Sequence, residues 1–397
     1  MDLSQGTPMV AIPGPSILPD AVRAALGRAM PDIYGGGLVD LAFGLLDRLP
    51  DIARTSGRAF IVASNGHGAW QMAIANTIAP GESVLALESG RFAVFWGAAA
   101  ELAGANVEIL PGDFQNPVDP ARLEARLRAD TDKSIKAILV SHVDTSSSVR
   151  NDLPALRSAI DAADHPALLM VDCIASLGCD RYEMDEWGVD LTVGASQKGL
   201  MCPPGLGFVW AGERALAAMD PDRPRVSYLD WSKRLDPQMF YEIFAGTPPV
   251  AHLHALEAAL GLIDEEGGLE AVWARHQAHA DAVRAAVAAW ASPGGLSLNI
   301  ASPAHRSNAV TTVQTGDIDA NELRRRCAEQ AGLTLGIGMV TDPNHTFRIG
   351  HMGWHNPPMV LGTLATIEAA LSSMGAPMAS SGIAAAAASI GEALNRE

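Results

Sequence analysis

The sequence predicts an α/β fold, a mainly parallel sheet with helices on both faces, followed by a smaller α+β C-terminal domain. Three observations carry this. From about residue 59, apolar strand-like runs alternate with helical stretches, the pattern of repeated β-α units. The run Ala167–Val171 reaches Asp172 with no charge in it, as in a strand covered on both faces. After Pro293-Gly294-Gly295 the texture changes to short strands and two helices, which marks a second domain. The chain divides accordingly into an N-terminal arm (1–20), a large domain (21–265) and a small domain (266–397).

Each element has its own signal. Pro13-Gly14-Pro15 and Pro19 make an extended arm, and a helix follows over about Ala21–Met30. Tyr34-Gly35-Gly36-Gly37 reads as a flexible loop. Ala59–Ser64 is a strand, Asn65-Gly66-His67-Gly68 a turn, and Ala69–Ile78 a helix. A turn of that kind at a helix start gathers free N–H groups that suit an anion. It carries neither the dinucleotide nor the P-loop pattern, and a plain structural turn is the alternative. Ser83–Glu88 is the next strand, and Gly90-Arg91-Phe92 opens a helix. Lys136–Asp144 is a buried strand ending in Thr145, Ser146, Ser147 and Ser148, hydroxyls that either face a ligand or cap the helix near Asp152–Ala163. Strands over Leu191–Val193 and Gly207–Trp210 follow. Thr247-Pro248-Pro249 starts a long helical region, Val250–Trp290, broken at Gly267-Gly268. Strands at Leu296–Ile300, Ala309–Val313 and Thr346–Ile349, helices at Ala320–Gly332 and Pro358–Met374, and an alanine-rich terminal helix complete the chain.

Composition narrows the function. The 397 residues are 48% apolar, with 38 Gly and 25 Pro, enough for a sizeable globular core. A net charge of −17 argues against nucleic acid or an anionic membrane as partner. Cys173, Cys179, Cys202 and Cys327 are too scattered for a disulfide framework and lack zinc spacing, so no metal site is expected. The first residues carry no basic group and no sustained apolar run, unlike a secretory signal. No stretch approaches the ~20 apolar residues that span a bilayer. A soluble, cytoplasmic protein is the expectation.

Two residues point to chemistry. Lys198 follows a buried strand and precedes Gly199 and Pro203-Pro204-Gly205, where it cannot easily snorkel to water. Burial lowers an ammonium's pKa and makes the amine a nucleophile toward an aldehyde. Asp172 closes another buried strand at its C-terminal end, where open α/β sheets place ligands. An amine and an acid so placed suit the two ends of pyridoxal phosphate: a Schiff base at the aldehyde, a carboxylate beside the ring nitrogen. The alternatives are a surface lysine, and an aspartate that caps a helix or holds magnesium. In the second domain, Arg348 sits inside an apolar strand and must face an anionic group, either a structural carboxylate or a substrate carboxylate.

The segments Ser196-Gln197-Lys198-Gly199, Val171-Asp172 with Ala175-Ser176-Leu177-Gly178, Asn65-Gly66-His67-Gly68-Ala69, Thr247-Pro248-Pro249 and Phe347–Gly353 together resemble the class V aminotransferases. These are fold-type-I pyridoxal-phosphate enzymes, and the serine–glyoxylate and alanine–glyoxylate aminotransferases are the group the motifs suggest. The resemblance spans nearly the whole chain. It implies a seven-stranded sheet in the large domain, Lys198 as Schiff-base lysine, and Asp172 as partner of the ring nitrogen. It further implies Gln197 and Thr145 near the ring, Phe92 and Ile174 on its two faces, and Asn65, Gly66 and His67 at the phosphate. Thr247 would reach the phosphate of a neighbouring subunit, so a homodimer with shared sites, or a higher oligomer, is implied. Arg348 would clamp the substrate carboxylate, and Tyr34 would lie at the substrate entrance. The chain departs from the family pattern where Tyr34-Gly35-Gly36-Gly37 replaces a His-Arg-Ser segment, and at Asn65, Ser147-Ser148 and Phe244.

The expected activity is transfer of an amino group from a small amino acid to a 2-oxo acid, glyoxylate or pyruvate, with ping-pong kinetics. Pyridoxamine–pyruvate aminotransferase is the alternative. A desulfurase, which would need a mobile cysteine such as Cys327, and a non-catalytic cofactor-binding module are the other two readings. The sequence leaves the amino donor open.

Overall fold

The computed structural model describes residues 2–395 except Pro224 and Thr341. The large domain is built on a seven-stranded sheet in the order Arg58–Val62, Gly207–Ala211, Leu191–Ala195, Leu168–Asp172, Ile135–Ser141, Ser83–Leu87, Asn106–Leu110. Neighbours are parallel except Gly207–Ala211, which runs antiparallel to both of its neighbours. No helix lies between Leu191–Ala195 and Gly207–Ala211. A parallel return needs a crossover, so this strand can only fold back.

Alternation along the central strands sends side chains to two different cores. Leu169 and Val171 join one apolar cluster, and so do Ile138 and Val140. Leu168, Met170, Ala137 and Leu139 join the other. Both faces are therefore covered, which is why these strands carry no polar alternation.

The second sheet has the order Met9–Ala11, Leu333–Ile337, Thr346–Gly350, Val310–Gln314, Ser297–Leu298. Its apolar face packs on residues of four helices, Leu269–Trp290, Ala320–Ala331, Pro357–Ser373 and Gly382–Leu394. The arm belongs to this sheet: Met9–Ala11 pairs in parallel with Leu333–Ile337. The long helical region divides at Gly267-Gly268 into Val250–Glu266 and Leu269–Trp290. The second of these helices serves both cores, with Val272 in the large-domain cluster and Ala282 in the small.

One expectation needs correction. Gly37 is not part of a loop; it starts a helix, Gly37–Ala53. Its buried residues Leu38, Ala42, Leu45, Leu49 and Ile52 fall at helical spacing. The glycines before it and Pro50 inside it disguise that stripe. Strands Met9–Ala11, Asn106–Leu110 and Leu333–Ile337 and helix Pro120–Ala129 are further elements beyond the sequence reading.

Candidate active site

Because Leu168–Asp172 and Leu191–Ala195 are adjacent and parallel, their C-terminal ends lie side by side. Asp172 is the last residue of one strand, and Lys198 comes three residues after the other. Both line a cavity of about 120 Å³ together with Gly66, His67, Phe92, Thr145, Ile174 and Gln197. Eight of the residues expected at the site therefore share one space.

Asp172 is buried. Its Oδ1 accepts from Ile174 N at 2.7 Å and its Oδ2 from Trp70 Nε1 at 3.2 Å. Burial outweighs these bonds and pushes the carboxyl up to about 7. Lys198 Nζ donates to the carbonyl of Pro13 in the arm. Burial, with Arg348 nearby, brings its ammonium down to about 8, against the pull of Asp172. The arm is fixed over this lysine by Ser16, whose N–H donates to Gln197 O at 3.0 Å and whose Oγ donates to Lys198 O at 2.8 Å. Gly14 lies so close that a Cβ there would meet Lys198 Cδ at 2.5 Å, and its φ of +88° also favours glycine.

Arg348 alternates with Phe347 and Ile349, which enter the small-domain core, so its own side chain leaves by the other face. Nε donates to Ile337 O at 2.7 Å and Nη1 to Thr145 O at 2.8 Å. Neither partner is a carboxylate, and among the described residues Nη2 has no hydrogen bond. Burial lowers this guanidinium to about 10.

The other expected residues are spread more widely. Asn65 caps the helix Gly66–Thr77 by accepting from His67 N at 3.0 Å. Of the hydroxyl run only Thr145 lines the cavity. Ser146 binds Asp144, Ser147 binds Ser89 O, and Ser148 meets Thr312. The helix Leu153–Ala162 is capped by Asp152 instead. Tyr34 is 87% exposed, and Thr247 is also exposed; neither lines the cavity of its own chain. Cys327 is buried in its helix, its thiol pushed up to about 12. A neutral, fixed thiol is a poor nucleophile.

Sequence reasoning missed Trp70, Asp144 and the arm's Pro13 and Gly14. Trp70 stands one helical turn after Gly66, a position from which an indole N–H can look back over the strand ends. Asp144 is a fully buried carboxylate that accepts from Phe92 N at 2.8 Å and from Ser146. It lies at the end of the Lys136–Asp144 run, as Asp172 lies at the end of its own.

The cavity fits pyridoxal phosphate on three counts. The buried Gln197 Oε1 has no hydrogen-bond partner among the described residues. At Gly66, a Cβ would meet Ile174 Cδ1 at 2.3 Å, so a larger residue would displace the Ile174 side chain that lines the cavity. An amine and a carboxyl share one enclosed space.

Such a fold and site define a fold-type-I, pyridoxal-phosphate-dependent transaminase. The chain belongs to the aminotransferase class-V family, which matches residues 53–349. It is 36% identical to a serine–glyoxylate aminotransferase of Arabidopsis thaliana, over 94% of this chain and 93% of that protein. Identity to an L-aspartate–glyoxylate aminotransferase of Paracoccus denitrificans is 34%, over 95% and 94% respectively. The solved structure of pyridoxamine–pyruvate aminotransferase from Mesorhizobium loti superimposes with a TM-score of 0.87 at 30% identity, covering 99% of this chain and all of that one.

Proposed function

We propose that this transaminase moves an amino group from a small amino acid to glyoxylate or pyruvate. One observation carries the reading: Lys198 and Asp172 share a cavity whose lining residue Thr145 holds the guanidinium of Arg348, and among the described residues Nη2 of that guanidinium has no hydrogen bond. Nη2 offers a carboxylate its N–H donors in a low-dielectric setting, where a charge-assisted hydrogen bond is strong. The two glyoxylate-using relatives support the acceptor.

When bound, pyridoxal phosphate supplies an aldehyde for imine exchange and a ring that withdraws electrons. Lys198 Nζ would hold the aldehyde end, and its lowered pKa leaves a useful share of free amine near neutral pH. Once freed, Nζ would accept the proton that leaves the donor's Cα. Asp172 would keep a proton at the ring nitrogen, and that positive charge would favour its ionised carboxylate. Phe92 and Ile174 would confine the ring, while Gly66, His67 and the helix start behind Asn65 would receive the phosphate. Arg348 orients the donor and then the acceptor by the carboxylate both possess.

We also infer a homodimer with shared sites. Exposed Phe43, Phe95 and Tyr241, and the distance of Thr247 from its own cavity, support it. A cytoplasmic location agrees with four free cysteines. None of the described helices is long and apolar enough to cross a membrane.

Pairing L-serine, L-alanine, L-aspartate and pyridoxamine one at a time with glyoxylate and pyruvate tests the reading. Amino-acid donors turning over with glyoxylate is the expected outcome. Turnover confined to pyridoxamine with pyruvate favours the second reading, which the Mesorhizobium loti likeness supports. No turnover with any pair, and no bleaching of the cofactor band, overturns both.

A further inference from the structure

Arg348 is held partly by its own domain, through Ile337 O at the end of the strand Leu333–Ile337. Two residues further on, the carbonyl of Met339 accepts from Nε of Arg91, which belongs to the large domain. Arg91 is the first residue of the helix Arg91–Leu102, directly before Phe92. Its own N–H donates to Ser146 Oγ at 2.9 Å, so the helix start is anchored to the Asp144–Ser146 turn. The guanidinium lies over the ring of Phe114, 5.9 Å from its centroid. Phe114 is itself tied to the small domain, since Asn299 Nδ2 donates to its carbonyl at 2.6 Å.

The segment 337–339 is thus gripped from both sides, by Arg348 from its own sheet and by Arg91 from across the domain boundary. If the segment lifted, Arg348 would lose its Nε partner or follow it away from Thr145. We propose that Arg91 is a positioning residue: by pinning Met339 it fixes where Arg348 presents its unbonded Nη2 to the substrate carboxylate. This rests on the reading of Arg348 as the carboxylate clamp. Arg91 is adjacent to the ring-facing Phe92, so its effect on substrate must be separable from any effect on cofactor.

The test uses holoenzyme carrying Arg91→Met, Arg91→Gln or Arg91→Lys, with Arg348→Ala as reference. For Arg91→Met, KM for both the amino donor and glyoxylate should rise roughly tenfold, since small misplacements of an orienting group weaken binding. Both kcat and the pyridoxal phosphate dissociation constant, followed by absorbance titration, should stay within about twofold. Lysine keeps the charge and one donor but not the planar stack, so about a threefold rise in KM is expected. Arg91→Gln, the fallback if the methionine variant does not fold, should lie between the two. Unchanged KM in Arg91→Met or Arg91→Gln, with KM raised in Arg348→Ala, overturns the clasp and leaves the clamp standing. Cofactor affinity falling in step with KM also overturns it, because Phe92 would then be the target. No KM effect in Arg348→Ala refutes the clamp itself, whatever the Arg91 variants do.

Discussion

Asp172 and Lys198 stand on or just beyond adjacent strand ends of the large sheet, whereas Arg348 and Pro13, from the small domain and the arm, are hydrogen-bonded to the cavity-lining Thr145 and Lys198. The floor is part of a sheet whose central strands are buried on both faces and locked by ladder hydrogen bonds. The roof is held by single bonds to carbonyls. Its chemistry depends on how two separate bodies meet. A similar contrast separates two buried arginines. Arg234 and Arg348 are both lowered by burial to about 10. Arg234 donates to three carbonyls, those of Ile61, Ile243 and Tyr228. Arg348 donates to two, and among the described residues its Nη2 has no partner. Arg234 leaves only its Nε without a partner among the described residues, whereas Arg348 leaves a terminal amino group, so the same residue type, similarly buried, is a strut in one place and a receptor in the other.

Four experiments would break or sharpen this contrast. The floor should show the largest effect. Lys198→Ala should lose at least roughly 10³-fold in turnover while still retaining cofactor, because the base is gone and the rest of the cavity is not. Retained turnover, or borohydride fixing of a pyridoxyl group elsewhere, would overturn the assignment. Asp172→Asn should lower kcat about 10²-fold. The same change should stabilise the apoprotein, by an amount that grows with pH. The sign follows from linkage: a folded-state carboxyl raised to about 7 resists ionising, so the native state is penalised increasingly from the unfolded value of 3.8 up to about pH 7 and by a constant amount above that. A melting-temperature gain no larger at pH 8 than at pH 5 would contradict it.

The two arginines should part company next. Arg348→Ala should raise KM for both carboxylic substrates about thirtyfold. Arg234→Ala should leave KM alone and cost about 2–4 kcal/mol of stability by orphaning buried carbonyls. A KM effect from Arg234, or none from Arg348, would erase the distinction. The smallest effect concerns the amine of the apoprotein. A lysine lowered to about 8 is mostly protonated at pH 7 and mostly free at pH 9. Reconstitution with pyridoxal phosphate, followed by absorbance, should therefore quicken about tenfold over that range and level off above it. A rate still rising steeply at pH 10 would show an ordinary lysine.

The floor was legible in the sequence because its signals are local. An uncharged apolar run that stops at an acid, and another followed by a lone lysine, can each be read within a few residues. Asp144 carries a weaker signature, because Ser141-His142 interrupts the apolar run before it and four hydroxyl residues follow. The roof was less legible. That Arg348 needs a partner follows from its strand, but Thr145 O and Ile337 O are carbonyls, and carbonyls carry no residue-type signal. Pro13 acts through its backbone and Gly14 through a missing side chain. Helix Gly37–Ala53 was hidden by glycines that suggest a loop and by Pro50, although its apolar stripe is regular.

The arm ties the first residues to the last third of the chain. Met9–Ala11 pairs with Leu333–Ile337, and Ser16 is bonded to Lys198, 182 positions away. On a ribosome, the parallel sheet can assemble while the strand that receives the arm is still unmade. The arm's sheet partner is therefore absent until Leu333–Ile337 has been made, well after the strands that carry Asp172 and lead to Lys198.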